Sequence, residues 1–390
     1  MRAGFLAIQV ALSVILLVGA GVLLRSFNRL QDVDMGFDAR SVLTARLSLA
    51  REAYRQDQVG PFFEQLTERL RAIPGVKNAS AGTQYPPINT FQTNLQLRGE
   101  TPELSAARMV DITNVTGDFF RTIGYRLQAG RLFDGRDAEK APLVAVINET
   151  AARRFFPGGT QVGQRVILGR SETPTDVEII GVVADVRNRG LEVDPAPEVF
   201  VPVLQQREEW NNQLFILVRA AGEPLALLGA IRDVAKELDP DQPLYRISTI
   251  ERDLGNALLQ RRAAMLLIGI FALIALILAS VGIYGLVSHS VQERVREIGI
   301  RMALGADGNA IVRLVLRQIL TVVGIGSALG LAGSIAVSGS LRSLVFGISA
   351  TDPVTLVAVV LLLAAVATCA AAIPAIRAAR VLPVTAVRAE

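Results

Sequence analysis

Four long runs without charge constrain this chain more than any other feature of its sequence. Each run holds at least 21 residues, and a helix of that length crosses a hydrocarbon core of roughly 30 Å. The first run is longer than the apolar core of a signal peptide, so we expect it to remain as a membrane helix. The runs are Gly4 to Leu24, Ala263 to Val287, Gln318 to Leu341 and Pro353 to Ile376.

The segment from residue 26 to residue 260 has a different pattern. Short strand-like and helix-like stretches alternate with Gly and Pro, which is typical of a folded soluble domain. Asn148 is placed to cap a helix. Two strand, helix, strand units predict an α+β domain with halves at about 40–110 and 205–255, flanking a smaller subdomain at about 111–204. The units are Val42–Leu49, Pro61–Ile73 and the apolar stretch after Pro74-Gly75, then Gln213–Val218, Leu225–Leu238 and Pro243–Ile247.

The charges are divided between these two parts of the chain. Residues 27–262 carry 29 Lys and Arg against 31 Asp and Glu, whereas the remainder carries 11 against 5. The basic excess therefore flanks the membrane runs, which argues against nucleic-acid binding. The single cysteine, Cys369, rules out a disulfide within the chain. Because the chain has only one histidine, His289, besides it, we expect no zinc site. We expect no catalysis, metal or cofactor, because the acidic pairs of the domain stand in turns.

Arginines indicate the orientation in the membrane. Arg294, Arg296, Arg301, Arg313 and Arg317 lie between the second and third runs, and three more arginines follow the fourth. Positive residues favour the cytoplasmic side, so both termini are expected inside and the large domain outside. The predicted fold is a membrane protein with four transmembrane helices in a one-plus-three arrangement and an extracytoplasmic α+β domain between helices 1 and 2.

A short amphipathic stretch follows the second run. Val291, Val295, Ile298 and Met302 recur along one stripe of a helix, whereas Arg294, Glu297 and Arg301 fall mostly on the opposite side. Glu297 precedes Arg301 by four residues, a favourable order for an ion pair, and Gly305 offers a helix stop. The stretch could also be a basic loop that lies on anionic lipid, since each Lys or Arg near the surface contributes about 1 kcal/mol.

The order of these residues carries a family resemblance. The run REIGIRMALGA, Arg296 to Ala306, resembles the cytoplasmic loop of the MacB/FtsX-like family of ABC transporter permeases. Stretches at Gly117–Asp137 and Val144–Gly159 look like the periplasmic core domain of MacB-type permeases. In that family the loop helix docks on an ATPase. The resemblance implies that role for Val291, Arg294, Val295, Arg296, Glu297, Ile298, Gly299, Arg301, Met302 and Gly305.

The resemblance implies a bacterial inner-membrane permease domain at 261–390 that works with a cytoplasmic ABC ATPase. The sequence holds no G-x-x-x-x-G-K-[ST] loop, so the motor is expected on a separate chain. Pairing with a second copy, or with a second permease half, is also implied, as is a periplasmic or outer-membrane partner. The segment Leu17 to Phe27 looks like the run that opens the second half of a duplicated, ADOP-like permease, so we expect the chain to be either one half of a larger protein or a free four-helix unit.

Three functions stay open at this point. The first is a permease subunit of an efflux system, and the second is an FtsX-like, non-transporting signalling or regulatory protein that controls an envelope partner. The third is a ligand sensor without an ATPase. Small residues at Gly326 and Gly330, and at Ala275 and Ala279, predict close helix contacts, either inside one chain or between two copies.

Overall fold

Among the residues that the structure describes, four helices are long and apolar enough to cross a membrane. They are α1 (Arg2–Gln31), α6 (Ile250–Glu293), α7 (Gly308–Leu341) and α8 (Pro353–Ala379). Each extends beyond the uncharged run that predicts it, and the one-plus-three arrangement is confirmed. The computed structural model describes residues 2–31, 34–88, 91–98, 108–169, 174–191, 193–205, 212–293, 300, 308–341 and 352–379.

The chain folds as two units. The helical unit comprises Met1–Asp32 and Leu259–Glu390, and the sheet unit comprises Val33–Leu258. In the helical unit, membrane-length segments cover Gly4–Arg29, Arg262–Glu293, Val312–Val337 and Pro353–Arg377. Their shared core consists of aliphatic and small side chains such as Val10, Val14, Ile283, Val323 and Ala367.

The small residues of the third span lie against the first span. A Cβ atom added to Gly326 would stand 2.8 Å from the carbonyl oxygen of Ala7, and one added to Gly330 would stand 2.7 Å from that of Ala11. On the second span, Ala279 is buried, and the Ser13 hydroxyl donates a hydrogen bond of 3.1 Å to the carbonyl of Ala275. The small-residue pairs therefore form contacts inside one chain.

Eleven strands of the sheet unit hydrogen-bond in the order β11-β1-β10-β2-β4-β3-β7-β8-β6-β9, with β5 paired to β8. Because β9 also pairs with β4, the six strands β4, β3, β7, β8, β6 and β9 close into a ring. The strands are β1 (Val42–Ser48), β2 (Val76–Gly82), β3 (Gln92–Leu97), β4 (Met109–Val115), β5 (Leu127–Gly130), β6 (Val144–Asn148), β7 (Arg165–Leu168), β8 (Thr175–Val183), β9 (Glu198–Pro202), β10 (Gln213–Ala220) and β11 (Tyr245–Thr249).

Helices cover one face of the strands outside the ring. Helix α2 (Gln56–Arg71) buries Phe63, Leu66 and Leu70 against Leu43 and other aliphatic residues of β1, β2 and β10. It begins five residues earlier than the predicted helix start at Pro61, so Pro61 lies inside the helix. Helix α5 (Leu228–Leu238) follows a 3-10 turn, Pro224–Leu227, that has Pro224 in its first position.

The ring has its own core, which includes residues of the short helix α4 (Glu149–Phe155). Another short helix, α3 (Phe119–Ile123), belongs to a different core that it shares with Phe215 and Leu217 of β10. The predicted cap on α4 is confirmed, because the Asn148 side chain accepts a 2.9 Å hydrogen bond from the backbone of Ala151. Strand β3 lies in the residue range expected for the first half of the domain, yet it pairs with β4 and β7 of the ring. Its pairing partners decide its place, and one of them, β7, is distant in the chain.

Candidate functional site

The stretch predicted to couple to an ATPase begins at the end of helix α6. Val291 is half-buried against the core of the helical unit, two residues before the helix ends at Glu293. Four residues earlier than Glu293, His289 places its Nδ1 atom 3.3 Å from the Glu293 carboxylate. The other predicted site residues lie outside the described part of the chain. These are Arg294, Val295, Arg296, Glu297, Ile298, Gly299, Arg301, Met302 and Gly305.

The described flanks still fix how this stretch is connected. Helix α6 enters it at Glu293 and helix α7 leaves it at Gly308, so residues 294–307 join two membrane-length helices directly. Both helices line the same core, and α7 packs closely along α1 through Gly326 and Gly330.

The opposite end of the helical unit is tied by an ion pair. Arg25, near the end of α1, contacts the carboxylate of Asp352, which immediately precedes α8. Asp352 also caps α8, because it accepts hydrogen bonds from the Thr355 hydroxyl at 2.7 Å and from the Thr355 backbone at 2.8 Å. The hydrogen bond from the Thr355 side chain is the main cause that lowers the pKa of Asp352, and Arg25 adds to it. The end of α1 and the start of α8 thus lie on one side of the membrane.

The sheet unit contains a buried polar network. Its two acidic residues lie on strands, whereas the sequence suggested that the acidic residues of the domain stand in turns. Asp111 on β4 and Glu198 on β9 stand side by side in parallel register and are almost fully buried. Arg189 binds Asp111 through two nitrogens, with the Nε atom at 2.9 Å. Asn188 donates to both carboxylates, at 3.3 Å to Asp111 and 2.8 Å to Glu198, and Thr113 donates to Glu198 at 2.8 Å. We call these five residues the Asp111 cluster.

The charges and hydrogen bonds of the Asp111 cluster indicate a structural role. Burial raises the pKa of Glu198 to about 8, hydrogen bonds from Thr113 and Asn188 partly offset that shift, and the charge of Asp111 adds to it. One arginine faces two carboxyl groups, so a neutral Glu198 balances the charge. The cluster connects β4, β9 and the loop before β9. In the described ranges no group of three or more His, Cys, Asp or Glu residues could hold a metal.

Comparison with known families decides the identity of the fold. The model of the MacB-like periplasmic core domain matches residues 8–233, and the model of the FtsX-like permease C-terminal region matches residues 269–383. The chain belongs to the MacB/FtsX-like ABC transporter permease family. With its four apolar helices, this permease is an inner-membrane protein whose large domain, the sheet unit, is periplasmic. The end of α6 at Glu293 and the start of α7 at Gly308 consequently lie on the cytoplasmic side.

Curated relatives of the permease are macrolide export ATP-binding/permease proteins. MacB of Chromobacterium violaceum is 29% identical over 61% of this chain and 38% of its own length. MacB 2 of Aeromonas hydrophila subsp. hydrophila is 30% identical over 64% of this chain and 39% of its own length. The permease thus matches about two fifths of each relative.

One solved structure similar to the permease is the periplasmic region of MacB from Actinobacillus actinomycetemcomitans. The two share 14% sequence identity with a TM-score of 0.40, over 59% of this chain and 97% of that one.

Proposed function

We propose that this permease is one subunit of an ABC-type efflux system and that a separate cytoplasmic ATPase docks on the stretch Val291–Gly305. ATP hydrolysis on that partner would move the membrane helices and, through them, the periplasmic sheet unit. The observation that carries this proposal is the direct connection of α6 to α7 by residues 294–307. A partner that binds this segment would be able to move two spans.

The packing of the helical unit supports transmission over the depth of the membrane. Val291 packs against a core that α1 and α7 also line, through Val10 and Val323. Helix α7 approaches α1 to backbone contact at Gly326 and Gly330, which favours joint movement of the two helices. Since the sheet unit is inserted in the chain between α1 and α6, both of its covalent connections lead into helices of this bundle.

The names of the relatives describe an ATP-binding part joined to a permease that exports macrolides. Because this sequence contains no P-loop, we propose that the ATP-binding part acts here as a partner chain. We further propose that it acts on a pair of permease chains, either two copies of this one or this one with a second permease half.

The test separates docking from adhesion to lipid. Ile298→Asp removes an apolar contact and keeps every basic residue, and burying a side chain of this size is worth roughly 1.5–3 kcal/mol. We expect this variant to insert in the membrane normally but to bind the copurifying ATPase roughly 10- to 150-fold more weakly. Arg294→Gln is the matched control and should have a mild effect. The measurements are ATPase pull-down and ATP turnover in reconstituted vesicles.

The opposite pattern would support the lipid loop. Unchanged association of Ile298→Asp, together with loss of association on neutralising Arg294, Arg296 and Arg301, would show that charge and not the apolar stripe holds the segment. Stimulation of ATP turnover by a transported compound would distinguish an efflux permease from a regulatory protein that passes nucleotide state to an envelope partner.

A further inference from the structure

The loop between β8 and β9 holds the segment through which the chain enters the sheet unit. This entry segment, residues 34–41, lies between helix α1 and strand β1. The backbone N–H of Arg187 donates a hydrogen bond of 3.1 Å to the carbonyl of Met35. A Cβ atom added at Gly36 would stand 2.3 Å from the carbonyl oxygen of Asp185, so the two backbones touch. The loop thus fixes the entry segment at two neighbouring residues.

The next two residues of the loop bind the carboxyl groups of the Asp111 cluster. Asn188 and Arg189 follow Arg187 directly, and both donate hydrogen bonds to buried carboxyl groups. Asn188 is itself buried, and Arg189 is fixed on Asp111 through two nitrogens. Three consecutive residues of the loop therefore contact both the entry segment and the carboxyl pair of Asp111 and Glu198.

The charges around Glu198 favour a bound proton. In the described part of the chain, the charged or titratable groups that face Glu198 are Asp111 on β4, Arg189 in the loop and Tyr125 after α3. Burial raises the pKa of Tyr125, so its hydroxyl stays neutral. One guanidinium thus faces two adjacent carboxyl groups, and two buried anions beside one cation are costly. Burial also raises the pKa of Glu198 to about 8, so this carboxyl holds the proton at neutral pH.

The amide of Asn188 links this proton to the loop. Its Nδ2 atom donates to both carboxyl groups, whereas its buried Oδ1 atom has no hydrogen-bond partner among the described residues. A neutral Glu198 has an O–H to donate, and rotation of the amide would offer Oδ1 as its acceptor. An ionised Glu198 only accepts hydrogen bonds, and it places a second negative charge beside Asp111. The two states of Glu198 therefore require different hydrogen bonds from the loop.

We propose that the Asp111 cluster is a proton-operated latch on the entry segment. With Glu198 neutral, the loop stays fixed on the cluster and holds the entry segment at Met35 and Gly36. Loss of the proton adds a negative charge beside Asp111, so the loop is released more readily and the entry segment with it. The periplasmic pH thereby sets how firmly the sheet unit holds the segment that leads from α1. This inference does not depend on ATPase docking.

Hydrogen exchange of the full-length permease in nanodiscs, followed by mass spectrometry, would detect the release. The reporter is the peptide that contains Arg187, whose backbone N–H is protected by its hydrogen bond to Met35. After correction for the pH dependence of chemical exchange, we expect its protection to fall by up to about tenfold per pH unit as the pH rises toward 8, and to level off above that value. Low concentrations of urea should leave this exchange unchanged, because a local opening exposes little surface.

Two variants complete the test. Glu198→Gln keeps a neutral side chain and should make the protection of Arg187 independent of pH, whereas Glu237→Gln, at an exposed position, should behave as the wild type. Three results would overturn the proposal: wild-type protection that does not change with pH, a pH dependence that survives in Glu198→Gln, or exchange that rises with urea as steeply as that of helix α2. The last result would show that the loop opens only when the whole domain unfolds. Because the first and last results come from the wild type, they decide the matter even if Glu198→Gln fails to fold.

Discussion

The helical unit and the sheet unit hold their interiors together in different ways. In the helical unit the closest contacts are between backbones, where Gly326 and Gly330 admit α1. Lipid gives helices no hydrophobic reason to associate, so close packing must supply the attraction. The sheet unit has ample aliphatic cores and still buries the two carboxyls and the arginine contacts of the Asp111 cluster. Larger side chains at the helix contacts should therefore destabilise the helical unit. Changes of charge in the Asp111 cluster should destabilise the sheet unit.

The largest expected effect is on the pH dependence of the sheet unit. The pKa of Glu198 rises on folding from 4.5 to about 8, so the folded state holds this proton more tightly than the unfolded state. Its contribution to stability is complete below pH 4.5 and is lost as the pH rises toward 8, by up to about 1.4 kcal/mol per pH unit. Glu198→Gln, which keeps the neutral form, should remove this slope. Urea unfolding followed by the fluorescence of Trp210 would measure it.

The buried amide next to Glu198 can adapt to a glutamine at that position. The Oδ1 atom of Asn188 is buried and has no hydrogen-bond partner among the described residues, so rotation of the amide would let it accept a hydrogen bond from the new side-chain amide in Glu198→Gln. The exposed Glu237 provides a control, since Glu237→Gln should leave the pH profile unchanged. If Glu198→Gln keeps the slope of the wild type, another group is responsible for it.

The second effect in size concerns the arginine of the cluster. Arg189→Met leaves the fully buried Asp111 without its cation, and loss of one partner from a buried pair costs about 3–5 kcal/mol. Because the Arg189 side chain is 33% exposed, we expect the lower end of that range. The double variant Asp111→Asn with Arg189→Met should recover part of the loss. Equal destabilisation in the single and double variants would mean that the pair contributes through packing and not through charge.

A smaller effect is expected in the helical unit. In Gly330→Leu the new Cβ atom would lie 2.5 Å from Val14 and 2.7 Å from the Ala11 carbonyl, and overpacking of this kind costs about 1–3 kcal/mol. Gly324→Leu, on the same helix, meets no atom within 4 Å and should be tolerated. Thermal unfolding in detergent would compare the two variants. Equal melting temperatures would show that the contact of α7 with α1 does not limit stability.

The same contrast explains what could be predicted from the sequence. Four uncharged runs require helices, because a bilayer leaves no other way to satisfy the backbone. Local sequence signals were also sufficient to predict a helix start, as the Asn148 cap shows. The partner of Gly326 and Gly330 could not be read from their spacing, since any close helix would satisfy it. Asp111 and Glu198 meet only because β4 pairs with β9, a contact between segments far apart in the chain.

We expect an ATPase docked at Val291–Gly305 to move the periplasmic domain, and one distance tests this most directly. Spin labels would be placed at Arg232 on α5 and at Val354 on α8, both exposed, in a chain whose Cys369 is replaced by alanine. We expect the distance distribution between them to differ between nucleotide-free and ATP-trapped ATPase, and Ile298→Asp to abolish the difference. Identical distributions in the two states, with the ATPase bound and hydrolysing ATP, would contradict the account.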